Sequence, residues 1–311
     1  MTTSEAYRLP ATVRPLKYSL TLTPNLTDFT FGGEETVEVQ VVEATDRIIV
    51  NAVELQIPRA EVTLPNGATI PARDIALDEE SETATLTFER SIPPGTASLH
   101  IQFSGTLNDH LRGFYRSQYT GPDGQPRFMA TTQFEATDAR RAFPCWDEPS
   151  IKATFQVTLV VPSDMEAISN TLAEGETSTG NRTKAVRFQE SPRMSTYLLA
   201  FIVGDMASVE ATGPNNTLVR VWATRGKQEQ GRYAVENAVR LLEYFNDYFG
   251  IPYPLKKLDH IAIPDFAAGA MENWGAITYR ETALLYDPQN SSAGTRQRII
   301  EVVAHEMAHM W

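Results

Sequence analysis

Through the first two hundred positions, apolar and polar residues tend to alternate with a period of two. Tyr18 to Thr23 is one such run, and Thr36 to Val41, Thr83 to Phe88 and Ala153 to Leu159 repeat it. Successive side chains on a strand point to opposite faces, so each run offers one face to a core and the other to water. Turn-forming clusters at Pro65-Asn66-Gly67, Pro93-Pro94-Gly95, Gly121 to Gly124 and Pro162-Ser163-Asp164 punctuate these runs. No convincing amphipathic helix lies between them. Residues 1–205 therefore predict an all-β domain of antiparallel sheets, packed as a sandwich or saddle.

The pattern changes in residues 206–311. A strand-like run, Thr217 to Ala223, leads into a segment where Ala234, Ala238, Leu241, Phe245 and Tyr248 recur at helical spacing, with Gly250 placed as a C-terminal cap. His260 to Ile263 and Ala276 to Tyr279 read as further strands, with a loop from Pro264 to Gly269 between them. Thr295 to Trp311 carries Ile299, Val303 and Met307 on one side and reads as a helix cut off in mid-course. A sheet followed by helices is the start of an α+β domain, so the chain as a whole is α+β and multidomain. There is no internal repeat.

Length and composition agree with this division. A chain of 311 residues, 42% apolar and 21% charged, is globular in character and can bury a core in each of two domains. The net charge of −12 argues against a nucleic-acid binder, which needs a basic face for phosphates. No run approaches the ~18 apolar residues of a membrane span. The first ten residues lack the apolar core of a signal peptide, and the one cysteine, Cys145, allows no internal disulfide. These features predict a cytoplasmic protein with no membrane partner. The sequons at Asn25, Asn181, Asn215 and Asn290 are of the number chance supplies. Oligomeric state is not legible.

The candidate chemistry centres on His305-Glu306-Met307-Ala308-His309. Residues four apart on a helix share a face, so two imidazoles there can hold one zinc ion. The Glu beside the first His can then act as general base toward a zinc-bound water attacking a peptide carbonyl. His100, His110 and His260 show no ligand spacing and read as structural. A second feature, Gly269 to Gly275, lies some thirty residues earlier. By itself it is a glycine-flanked hairpin edge whose Glu272 would face solvent.

Taken together, these two blocks closely resemble the zinc aminopeptidases of the aminopeptidase N and puromycin-sensitive aminopeptidase type, which are gluzincin metallopeptidases. The Gly-x-Met-Glu-Asn loop matches at Gly269 to Asn273, and the His-Glu-x-x-His-x-Trp helix matches at His305 to Trp311. Leu111 to Ser117 and Gln133 to Pro149 look like two further blocks of the family. The resemblance implies an N-terminal β domain followed by the truncated start of a thermolysin-like catalytic domain. It implies zinc held by His305 and His309, with Glu306 as base. It also implies that Glu272 and Glu135 bind the free α-amine of a peptide substrate, with Gln133 beside them. Gly269, Ala270, Met271 and Asn273 would line the substrate. Without the resemblance, Gln133 and Glu135 would read as an ordinary polar strand edge, and Cys145 reads as a small buried residue in either case.

In that family a third zinc ligand, a Glu, and an oxyanion-stabilising Tyr lie beyond a point equivalent to Trp311. Three other readings compete: a bifunctional relative that also hydrolyses a lipid epoxide, a non-catalytic module that captures peptide N-termini, and a thermolysin-type endopeptidase. Glu272 argues against the last, because an amine-binding carboxylate would obstruct a chain running past the cleavage point. A catalytic zinc normally has three protein ligands. A polypeptide of these 311 residues alone is therefore expected to show negligible turnover of aminoacyl anilides. Turnover rivalling that of a whole family enzyme would contradict this.

Overall fold

The alternation in the sequence is realised strand by strand in the computed structural model, which describes residues 8–311. In Val13–Asn25 the side chains of Tyr18, Leu20 and Leu22 are buried, while Ser19 and Thr23 face water. Val37, Val39 and Val41 are buried in the same way in the neighbouring Thr30–Val41. Ten strands between Val13 and Phe188 form one sheet, antiparallel except where Val13–Asn25 runs parallel to Thr154–Pro162. A second sheet has four strands, in the order Glu166–Ser169, Phe201–Gly204, Pro126–Gln133 and Gly113–Thr120. The two sheets meet through aromatic packing: Phe31 of the larger and Phe114 of the smaller have ring centroids 5.2 Å apart, and Phe114 meets Phe201 edge-on at 4.9 Å. This is the expected all-β sandwich.

Past Gly204 the chain enters a different sheet. Its five strands lie in the order Met206–Thr212, Leu218–Thr224, Lys257–Ile263, Ala276–Arg280 and Ala270–Met271. The middle three are parallel and the outer two pair antiparallel. Two helices follow the expected order, α1 at Arg232–Phe249 and α2 at Ala293–Ala308. Among the described residues no helix is long and apolar enough to cross a membrane.

The buried face of α1 differs from the one its spacing suggested. Ala234, Val235, Ala238 and Leu242 are buried, whereas Tyr248 is 68% exposed. Small side chains let this face approach Val209, Val219 and Val221 closely, and at Gly231, just before the helix, a β-carbon would strike Val221. The last turn instead stacks Phe249 on Trp311 at 5.5 Å. In α2 the predicted stripe is the buried one, with Ile299, Val303 and Met307 at 0%, 1% and 0% exposure. Ser292 caps this helix by accepting from the Thr295 N–H.

One core position breaks the apolar rule. Glu35 occupies the cross-strand row Leu20–Glu35–Ile101–Ala60, is 1% exposed, and has no partner for either carboxylate oxygen. Burial therefore pushes its carboxyl well above the ordinary glutamate range, which favours the neutral form. A folded pKa raised above the unfolded value near 4.3 leaves stability intact below that value and lowers it as pH rises toward the folded one. Glu35→Gln should thus be more stable than the parent, by a margin that widens by up to about 1.4 kcal/mol per pH unit above pH ~4.5. Chemical denaturation at pH 4.5, 6 and 8 measures this, and a margin independent of pH would contradict it.

Candidate metal and amine-binding site

The site forms where α2, the edge strand Ala270–Met271 and the end of strand Pro126–Gln133 come together. The helix predicted to run to Trp311 ends at Ala308, so His305 lies on α2 and His309 is its C-cap; both are exposed, while Glu306 turns inward and is 6% exposed. The two imidazole Nε2 atoms are 3.4 Å apart, with ring centroids at 5.0 Å and planes at 73°. Two nitrogens bound tetrahedrally to one zinc at ~2.0–2.1 Å would be separated by about 3.3–3.4 Å. The observed Nε2 separation equals that of two ligands on one zinc ion.

Three carboxylates, Glu306, Glu272 and Glu135, act on one another here, and Glu135 also feels His309. Burial, Glu272 and Glu135 together raise the Glu306 carboxyl to about 7. Burial and then Glu272 raise Glu135, while the neighbouring His309 opposes that shift. Glu306 Oε2 and Gln133 Oε1 are both buried without a partner among the described residues. Orphaned acceptors and mutually repelling carboxylates together make a site short of positive charge.

The loop that presents Glu272 is built from backbone pairing and one amide. Ala270 and Met271 pair with Tyr279 and Thr278 on one side only, so their outer edge is open. Gly269 accepts from the Arg280 N–H at 3.0 Å and is exposed. Met271 is fully buried in the core shared with the β domain. Asn273 is buried too, and its Nδ2 donates to Thr278 Oγ1 at 3.1 Å. Glu272 is half-buried between them.

Glu135 stands on a turn braced by arginines. The Asp138 N–H donates to the Phe134 carbonyl at 2.8 Å, and Arg141 donates to Asp138 at 2.7 Å and to Glu82 at 3.1 Å. Arg140 holds Asp147 at 3.0 Å, and Asp147 accepts from Thr196 Oγ1 at 2.6 Å. The Gln133 to Pro149 block is thus largely framework. Cys145 in it is buried, its backbone bonded to Asn51, and burial raises its thiol well above the ordinary range. Of the remaining histidines, His260 is buried with Nδ1 2.9 Å from the Tyr279 hydroxyl, and His100 Nδ1 lies 3.3 Å from Thr36 Oγ1.

Sequence reasoning missed Tyr197. It lies in the short helical turn Thr196–Leu198, and after burial the charges of Glu272 and Glu135 are what raise its phenol. No local spacing marks it, because its neighbours at the site come from segments far away in the chain.

Comparison with known proteins bears on this geometry. The peptidase M1 N-terminal domain matches residues 14–198, and the peptidase family M1 domain matches residues 233–311. Aminopeptidase M1 of Arabidopsis thaliana is 48% identical over 98% of the chain and 35% of its own length. The puromycin-sensitive aminopeptidase of Caenorhabditis elegans is 44% identical over 98% of the chain and 32% of its own length. The chain thus spans about a third of these relatives. Aminopeptidase N of Acetobacter pasteurianus is 43% identical over 98% of the chain and 85% of its own length.

If the imidazole pair holds a metal, calorimetric titration with zinc should give one site per chain. His305→Ala or His309→Ala should weaken that site by more than the about 10–100-fold typical of losing an outer-shell partner. Retention of the site in both variants would contradict the assignment.

Proposed function

Because the chain belongs to the peptidase M1 family, we propose that it carries the metal-holding, proton-transferring and amine-anchoring residues of a zinc aminopeptidase. Its substrates would be peptides with a free N-terminus. The observation that carries this reading is the 3.4 Å separation of the two Nε2 atoms, with Glu306, Glu272 and Glu135 close enough to perturb one another beside them.

Each residue has a distinct task in this proposal. His305 and His309 donate Nε2 to the metal. When bound, zinc supplies Lewis acidity at the scissile carbonyl and brings the pKa of a water to about 7. Glu306 takes the proton of the attacking water and passes it to the leaving amine. Glu272 and Glu135 grip the substrate ammonium through charge-assisted hydrogen bonds, and Gln133 Oε1 offers a further acceptor. The open edge of Ala270–Met271 pairs with the substrate backbone as an added strand, and Gly269 and Asn273 shape the loop at either end. Because only a terminal amine can satisfy the carboxylates, cleavage is confined to the first peptide bond. A cytoplasmic setting belongs to the same proposal and is compatible with the free, buried thiol of Cys145.

In a polypeptide that continues these residues to the length of the relatives, Glu272→Ala should raise the KM for free-amine substrates by about 10–100-fold, the worth of a hydrogen bond to a charged group. N-blocked substrates should be spared. Equal losses on both kinds of substrate would refute the role of Glu272.

A further inference from the structure

Lys257 opens the strand Lys257–Ile263 and is 1% exposed. Its ammonium donates to three oxygens: the Ser169 carbonyl at 2.5 Å, Asp259 Oδ2 at 2.7 Å and the Gly275 carbonyl at 2.8 Å. All three protons are used. Asp259, fully buried, balances the charge and also accepts a two-pronged contact from Arg220 at 2.7 and 2.9 Å. The charged part of the cluster therefore closes within the five-stranded sheet. What the ammonium adds is a link between two backbone carbonyls from different domains.

The next residue along, Asn170, makes the same link a second time. Its Nδ2 donates to the Leu198 carbonyl at 2.8 Å and to the Trp274 carbonyl at 2.9 Å, and its Oδ1 accepts from the Ala200 N–H at 2.9 Å. Gly275 has a positive φ of 73°, and a β-carbon there would drive into the Asn170 carbonyl oxygen. Ser169–Asn170 and Trp274–Gly275 are thus pressed together and tied by two polar side chains. A buried ion pair rarely adds net stability over a well-packed apolar replacement, and its best-attested use is to fix geometry.

That geometry leads to the amine site from both ends. Ser169 ends a strand of the four-stranded sheet that also contains Pro126–Gln133, the strand from which Glu135 emerges. Trp274–Gly275 ends the loop on which Glu272 sits. We propose that Lys257 and Asn170 are positioning residues that clamp this loop to the β domain and so set the spacing of Glu272 and Glu135. The assignment rests on the amine-recognition reading above and names what holds its two carboxylates in register.

Calorimetric binding of leucinamide and N-acetyl-leucinamide to the zinc-loaded chain tests it. The unaltered chain should prefer leucinamide. Lys257→Met should weaken leucinamide binding on the order of 10-fold, as loss of an orienting partner does, yet have less than about a 2-fold effect in a Glu272→Ala background. A clamp that served stability alone would cost the same in both backgrounds, and that result overturns the proposal. If Lys257→Met does not melt cooperatively, Asn170→Ala carries the same comparison. Full preference for leucinamide in Asn170→Ala or Lys257→Met overturns the clamp and leaves the amine-recognition reading standing. No preference in the unaltered chain overturns both.

Discussion

Where the β domain meets the five-stranded sheet, the ammonium of Lys257 has no water to solvate it, and every one of its protons must find a protein oxygen. That requirement brings the Ser169 carbonyl, Asp259 and the Gly275 carbonyl to one point. Around it the apolar packing is continuous: Trp222, Ile261, Ile263, Phe266 and Met271 of the second domain belong to the same core as Phe114, Phe134 and Phe201 of the first. Apolar packing supplies adhesion with little directional preference, whereas the buried charge accepts only one arrangement. The two domains are consequently held in a single register, and the site lies along their seam.

The electrostatics of the seam follow from that register. Glu135 arrives from the β domain, Glu272 from the edge loop and Glu306 from α2, and each raises or is raised by another. Bringing like charges together costs free energy, and a cation beside them offsets that cost. Two kinds of cation suit the available groups. In the proposed reading these cations are a divalent metal at the imidazoles and a substrate ammonium at the carboxylates. The overall charge of −12 adds a long-range attraction for cations in general.

How much of this was legible in the sequence depended on how local the cause was. The strands were visible because the alternation from Tyr18 to Thr23 is itself the strand geometry, and the α2 stripe was visible because Ile299, Val303 and Met307 repeat at helical spacing. The buried face of α1 is not legible, because periodicity locates an apolar stripe without saying which flank the sheet covers; close approach of Ala234 and Ala238 to Val219 and Val221 decides it. That His305 and His309 share a face is legible for the same local reason, their spacing of four on a helix. Glu135 and Glu272 could be paired only through a family resemblance, being far apart in the chain. Tyr197, Asn170 and Lys257 carried no signal at all, since their meaning lies in carbonyls and charges that folding alone brings near them.

The central claim is that one metal and one ammonium sit side by side, the first on His305 and His309 and the second on Glu272 and Glu135. Anomalous diffraction at the zinc edge from crystals of the zinc-loaded chain with leucinamide measures both positions at once. The account predicts a single zinc peak between the two Nε2 atoms and the α-amine within hydrogen-bonding distance of both carboxylates. Zinc elsewhere, or an amine turned away from Glu272, would contradict it.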